Sequence, residues 1–232
     1  VGRLEGTDLR DYGIKFVNGA AQIDGALSFR RIGKGGVDQP AVWFPASAGA
    51  CWGGPIYVDD APVGVLIESA ANELGPIFAK VCKLNNIDIR AERNTLGPLE
   101  LEVAADAAGV SIYTQFNKLL GGTIKMMAPS AVGVSVKFGG NSGNGIIIRD
   151  VTFIGQSSSQ GTAITTADVL INCTIEAHFI NVGTGIDLTP GGGNMLGTKN
   201  TIRITTENVT YPIKLPSSID PSNNIWINGV KQ

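Results

Sequence analysis

The chain has 232 residues, 43% of them hydrophobic, 31 of them glycine and only 16% charged, with a formal net charge of −2. That length suffices for one large domain with a real core, and a charge content far under the usual quarter favours many short strands joined by glycine turns over charged helices. The near-neutral balance offers no basic field for nucleic acid, and no apolar run approaches the roughly 20 residues of a membrane helix, so neither nucleic-acid binding nor membrane insertion is expected.

In chain order, residues 1–22 read as an N-terminal cap or a connection to a preceding domain, and residues 23–232 as a single domain. A start at Val1 instead of Met points to a piece of something longer. Helical patterning is scarce. It is best at Ala70–Leu84, which Gly75-Pro76 interrupts, and at Val103–Ala108. Elsewhere apolar and polar residues alternate: Gly64–Ser69, Asn86–Glu92, Leu99–Val103, Gly109–Gln115, Gly122–Ala128 and Gly133–Gly140. The same pattern continues through Gly145–Asp150, Asp168–Asn172, Gly183–Thr189, Thr201–Thr206 and Asn224–Gly229. Short Val- and Ile-rich runs of period two, bounded by Gly or Asn, predict an all-β protein.

One phrase recurs. "DVTF" begins at Asp150, "NCTI" at Asn172 and "NVTY" at Asn208, so 22 and then 36 residues separate the repeats. Each follows a strand whose inward positions are Ile146/Ile148, Val169/Ile171 or Ile202/Ile204, and precedes one with Val151/Phe153, Cys173/Ile175 or Val209/Tyr211 inward. Strand, polar corner, strand and longer return, with a period in the low twenties, is the grammar of one coil of a parallel β-helix, which buries its apolar edge only against the next coil. Asp and Asn suit the corners because they tolerate left-handed backbone, and in a stack these corners should lie above one another. The 36-residue step then holds a coil plus an excursion near Thr189–Asn200. An antiparallel sandwich should place Asn-Gly turns between paired runs. The pairs at Asn18, Asn144 and Asn228 do not fall neatly there.

From Ile23 onward the chain resembles the right-handed β-helix proteins of the pectate-lyase-like superfamily, above all phage tailspikes and tail fibres. The resemblance centres on Pro40–Ser69, where Val42, Phe44 and Pro45 match the first-coil element and Ser47–Cys51 replaces its compact Gly-Thr-Tyr. Of the acidic phrase that commonly precedes it, Asp24-Gly25 and Asp38 remain. The resemblance implies a right-handed parallel β-helix forming a homotrimer in a virion tail, outside the cell. It also implies contact with other tail components and binding, often with cleavage, of a bacterial surface polysaccharide. Ile147 and Leu170 are outward and apolar by alternation, which suits either a partner surface or a local covering loop.

A glycoside hydrolase needs two carboxyl groups, about 5 Å apart for retention or roughly 6.5–9.5 Å for inversion. The alternation turns Glu68, Asp88, Glu100 and Glu102 outward. Glu100 and Glu102 share a strand face at roughly 7 Å, and Asp88 is expected one rung below. A solvated face balanced by Arg90 and Lys125 is the plainer reading of this trio. Asp59-Asp60, followed by Ala61-Pro62, reads as a turn, as do Gly33–Gly36 and Gly191–Asn194. Trp43, Trp52 and Tyr57 cluster in the first coil as a saccharide platform, or Trp43 and Tyr57 plug the end of the helix; Tyr113, Phe116 and Trp226 are scattered. Cys51, Cys82 and Cys173 lie far apart without a CxxC, and the single histidine, His178, reads as a bystander. Buried thiols, with no metal or cofactor, are therefore expected. Three functions stay open: glycan recognition, polysaccharide cleavage by a hydrolase or lyase, and a structural spacer.

Overall fold

The computed structural model describes residues 4–232 apart from 8, 18, 34–38, 138–142 and 190–194. Asp38, most of the Gly33–Gly36 turn and the Gly191–Asn194 turn lie outside the described residues. The chain winds as a parallel β-solenoid of about nine turns, without a helix among the described residues.

The first turn holds β1 (Leu4–Thr7), β2 (Ile14–Lys15) and β3 (Gly19–Ile23), and the second holds β4 (Leu27–Arg30), β5 (Pro40–Phe44) and β6 (Ala48–Gly53). The third holds β7 (Ile56–Asp59), β8 (Val63–Ile67) and β9 (Glu73–Leu74); the fourth holds β10 (Ile77–Cys82), β11 (Asn85–Ile89) and β12 (Thr95–Leu96). β13 (Leu99–Val103) and β14 (Ala108–Ile112) open the fifth, and β15 (Lys118–Met126) runs unbroken from it into the sixth. There follow β16 (Val132–Val136), β17 (Gly143–Asn144), β18 (Ile147–Ile154), β19 (Thr162–Thr166) and β20 (Leu170–Ile171). β21 (Thr174–Ile180), β22 (Thr184–Asp187), β23 (Thr201–Glu207), β24 (Tyr211–Lys214), β25 (Asn224–Ile227) and β26 (Val230–Lys231) complete the chain.

Three faces result. Face A runs β1-β4-β7-β10-β13 and on through the second halves of β15, β18, β21 and β23. Face B is the nine-stranded ladder β2-β5-β8-β11-β14-β16-β19-β22-β24. Face C carries β3-β6-β9-β12 and the first halves of the long strands. In-register stacking explains the core: Leu27, Ile56, Ile77 and Leu99 lie one above another and are fully buried. Each such side chain removed from water contributes about 1.5–3 kcal/mol. Where the bulkiest rings, Phe153 and Phe179, fill the interior from face A, face B answers with glycine. A Cβ on Gly133 would stand 2.6 Å from Phe153, and one on Gly185 would stand 2.7 Å from Phe179.

The corners carry an internal ladder of amides. Cys51, Asn72, Asn94 and Asn117 occupy one inward corner on successive turns, 21, 22 and 23 residues apart, each backbone N–H donating to the next asparagine's Oδ1 at 2.9–3.0 Å. The column passes through Ile146 and resumes with Cys173, Asn200 and Asn223, spaced by 27 and 23 residues. Each rung from Asn72 to Asn200 is preceded by a left-handed residue: Ala71, Arg93, Phe116, Gly145, Asn172 and Lys199.

Several expectations need correction. Ala70–Leu84 is not helical; it contains β9 and β10, because Gly75-Pro76 makes a corner and Ile77, Ala79 and Cys82 point inward. Val103–Ala108 is the end of β13, a turn and the start of β14. Asp150, Asn172 and Asn208 do adopt left-handed backbone, with φ of 57°, 53° and 52°, but they stand at three different corners and do not stack. Asp150 bulges from β18 against β21, Asn172 precedes the ladder, and Asn208 follows β23, donating from Nδ2 to Asn181 Oδ1 at 2.7 Å. Leu170 is buried, not outward, with Val169 and Ile171 half-exposed beside it, and Ile147 is half-buried. Tyr211 is exposed instead of inward. Asn228-Gly229 does turn a two-residue hairpin, with φ of 50° and 79°, and makes β25–β26 the one antiparallel pair among the described strands.

Candidate functional site

Every second residue of a face A strand points outward, and exact register turns these residues into columns along the stack. The first column reads Ser28, Tyr57, Phe78, Glu100, Thr123, Thr152, His178 and Thr205. The second, two residues further along each strand, reads Arg30, Asp59, Lys80, Glu102, Lys125, Ile154, Ile180 and Glu207. Between Ser28 and Lys125 the two columns line a groove of about 430 Å³.

Tyr57 and Phe78 stack within it, ring centroids 4.7 Å apart and planes within 8°. One face of each ring is thus covered by the other, and the small Ser28 leaves room on the free side of Tyr57. The second column alternates in sign. Arg30 and Asp59 close at 3.1 Å, whereas Lys80, Glu102 and Lys125 have no ion-pair or side-chain hydrogen-bond partner among the described residues. They are charged donors and acceptors held beside an aromatic surface. Higher on the same face lies a second hollow, about 280 Å³, lined by Asp150, Thr152, Glu176, His178 and Thr205. There the Thr205 hydroxyl and His178 Nδ1 share a 2.6 Å hydrogen bond, and both Glu176 oxygens are taken, by Arg149 at 2.9 Å and Arg203 at 3.0 Å.

The structure brings Tyr57, Glu100 and Glu102 together in the groove and leaves the other candidates elsewhere. Asp88 does not lie under Glu100 and Glu102. It sits on β11 of face B, its side chain 3% exposed, bonded to Arg90 at 3.1 Å and Asn85 at 3.4 Å. Burial pushes its carboxyl above the usual range, against the lowering pull of Arg90 and Asn85. Trp43, Trp52 and Tyr57 share no platform, because β5, β6 and β7 belong to faces B, C and A in succession. Trp43 is also occupied: its Nε1–H donates to Glu68 Oε2 at 2.8 Å, and Lys15 Nζ lies 3.7 Å from its ring centroid. Neither Trp43 nor Tyr57 plugs the interior. Phe16 and Phe44 stack there, 4.7 Å apart and within 5° of parallel.

Phe78, Lys80 and Arg30 are groove residues that a linear reading passes over, and Lys125 enters it only as a charge balancing the acidic face. Phe78 and Lys80 lie inside the stretch with apparent helical pattern, and no sequence neighbour of theirs carries a matching side chain. Their signal is distance along the chain: Tyr57, Phe78 and Glu100 are one coil apart each. The cysteines contribute no reactive group. All three are buried thiols, and burial pushes Cys82 up to about 12 and Cys173 up to about 11.

The solenoid is consistent with the β-helix superfamily that the sequence resembles. No family model matches the chain, and no curated protein and no solved structure matches it.

Proposed function

We propose that face A binds an extended bacterial surface polysaccharide and that the chain is a receptor-binding segment of a phage tailspike or tail fibre. The observation that carries this reading is the stacked Tyr57–Phe78 pair beside Lys80, Glu102 and Lys125, which pair with no charged group among the described residues, in one groove along the stack. Sugars combine apolar ring faces with rims of hydroxyls, so a ligand of this class needs an aromatic surface flanked by charged donors and acceptors. A purified O-antigen or capsule retained by the protein on a glycan array should lose about two- to tenfold in affinity on Tyr57→Ala or Phe78→Ala, at about 0.5–1.5 kcal/mol per aromatic contact. Retention of no polysaccharide would favour a spacer without a ligand site.

A second reading rests on Glu100 and Glu102, two residues apart on β13 within the groove. Their strand separation of roughly 7 Å falls in the range used by inverting glycosidases. Shortening of the retained polymer, abolished by Glu102→Gln, would establish cleavage; unchanged polymer length would leave a binding protein. The same resemblance proposes a homotrimer, to be tested by light scattering against the 24.2 kDa chain mass.

A further inference from the structure

We infer that the bound polymer lies parallel to the solenoid axis and continues from the Tyr57–Phe78 groove into a second subsite at His178. This rests on the reading of the groove as a polysaccharide site.

Three observations carry it. The groove and the upper hollow share one column, since Glu100, Thr123, Thr152 and His178 are paired rung to rung. Between Glu100 and His178 that column holds only Thr123 and Thr152, so no bulky side chain blocks the path and each rung presents a hydroxyl. His178 is also pre-set. Its Nδ1 is engaged by Thr205, while its Nε2 has no partner among the described residues. One ring nitrogen is therefore fixed and the other remains for a sugar hydroxyl. Glu176, beside it, already carries one arginine contact on each oxygen, from Arg149 and Arg203.

The four rungs from Phe78 to His178 span about 19 Å at the spacing between β-strands. A fragment shorter than this span reaches one subsite, and a longer one reaches both. The second contact is then intramolecular, so affinity should rise steeply at the length that bridges the two.

The test uses the polysaccharide that the protein retains on an array of purified O-antigens and capsules, cut by mild acid and separated by size. The chain has a single histidine, so one labelled imidazole reports on the upper hollow without ambiguity. Short fragments should bind, lose affinity with Tyr57→Ala and leave the imidazole resonance in place. Fragments beyond the bridging length should bind at least about tenfold more tightly and shift that resonance. His178→Ala should bring their affinity down to the wild-type short-fragment value. Thr152→Arg, which obstructs the column and leaves the His178–Thr205 bond alone, should do the same, with an unchanged cooperative melt showing that both variants fold. Long fragments that bind no more tightly, or leave the imidazole unmoved while Tyr57→Ala still weakens them, would overturn the second subsite and keep the groove. Retention of nothing, or binding indifferent to Tyr57→Ala, would overturn both.

Discussion

Asn94 stands in the protein interior with no solvent contact, where a polar side chain survives only if its hydrogen bonds are made. They are: its Oδ1 accepts from Asn72 N at 3.0 Å and Asn72 Nδ2 at 2.7 Å, and its own Nδ2 donates to Ala91 O at 2.8 Å. Asn94→Ala strands two donors and a carbonyl at once. We expect a loss of about 3 kcal/mol in urea unfolding, against less than about 0.5 kcal/mol for Thr95→Ala on the neighbouring outward position. Asp88 poses the opposite case, a buried carboxylate whose burial outweighs its partners. Its folded pKa lies above the ordinary 3.8, so within the window between the two the folded state holds the proton that the unfolded chain has released. Stability therefore falls as pH rises through that window. Asp88→Asn removes the titration, and its stability relative to wild type should climb as pH rises through that window in paired denaturation curves. A difference that is flat, or that moves the other way, would mean that Arg90 and Asn85 outweigh the burial.

The elements themselves are held apart and together by their corners. Gly97 precedes β13 with φ of +140°, and a Cβ there would lie 1.9 Å from the Leu120 carbonyl oxygen of the next turn. Gly121 makes the corresponding bend inside β15 with φ of +72°, and its nearest neighbour, Pro98 Cβ, is 3.9 Å away. Gly97→Ala should thus cost about 4 kcal/mol or prevent folding, because backbone of an adjacent rung must move. Gly121→Ala should cost only the 1–2 kcal/mol or so of left-handed backbone, both read from midpoints of cooperative unfolding. At this scale much was legible beforehand. Leu99–Val103 alternates in the sequence and alternates in burial, and Ile146, Ile148, Val151, Phe153, Cys173, Ile175, Ile202 and Ile204 are all inward, as the period of two requires. Short elements such as β9 and β20 hold two residues each, too few to set a phase, so alternation alone turns Leu170 to the wrong side and gives Ala70–Leu84 a helical pattern. The "DVTF" phrase marks a left-handed corner, which every coil needs more than once, so it identified the fold without giving its period.

For the whole molecule, winding changes what counts as a neighbour. Trp43, Trp52 and Tyr57 are close in the chain and look in three directions, while Tyr57 and Phe78, a coil apart, touch. Only part of the candidate groove is therefore legible, as Tyr57, Glu100 and Glu102, and the rest requires the register that only stacking supplies. The same geometry makes stability nearly one-dimensional: a turn gains from the turns on either side and from nothing further away. β13 is paired on face A with both β10 and β15, and β18 with both β15 and β21. Among the described strands, β1 pairs only with β4, β2 only with β5, and β24 only with β22. An outer rung can open by breaking one interface, but a central rung opens only after its neighbours have been lost from one side. Native-state hydrogen exchange of this chain should then show a gradient, with amides of β13, β15 and β18 exchanging at least about a hundredfold more slowly than those of β1, β2 and β24. Low urea should abolish protection at the outer rungs first and leave the centre protected until global unfolding. Uniform protection from β1 to β24, lost in one step, would show that the turns do not act as separate nearest-neighbour units. The Tyr57–Phe78 groove would then be coupled to the His178 hollow by the fold itself, before any polymer joins them.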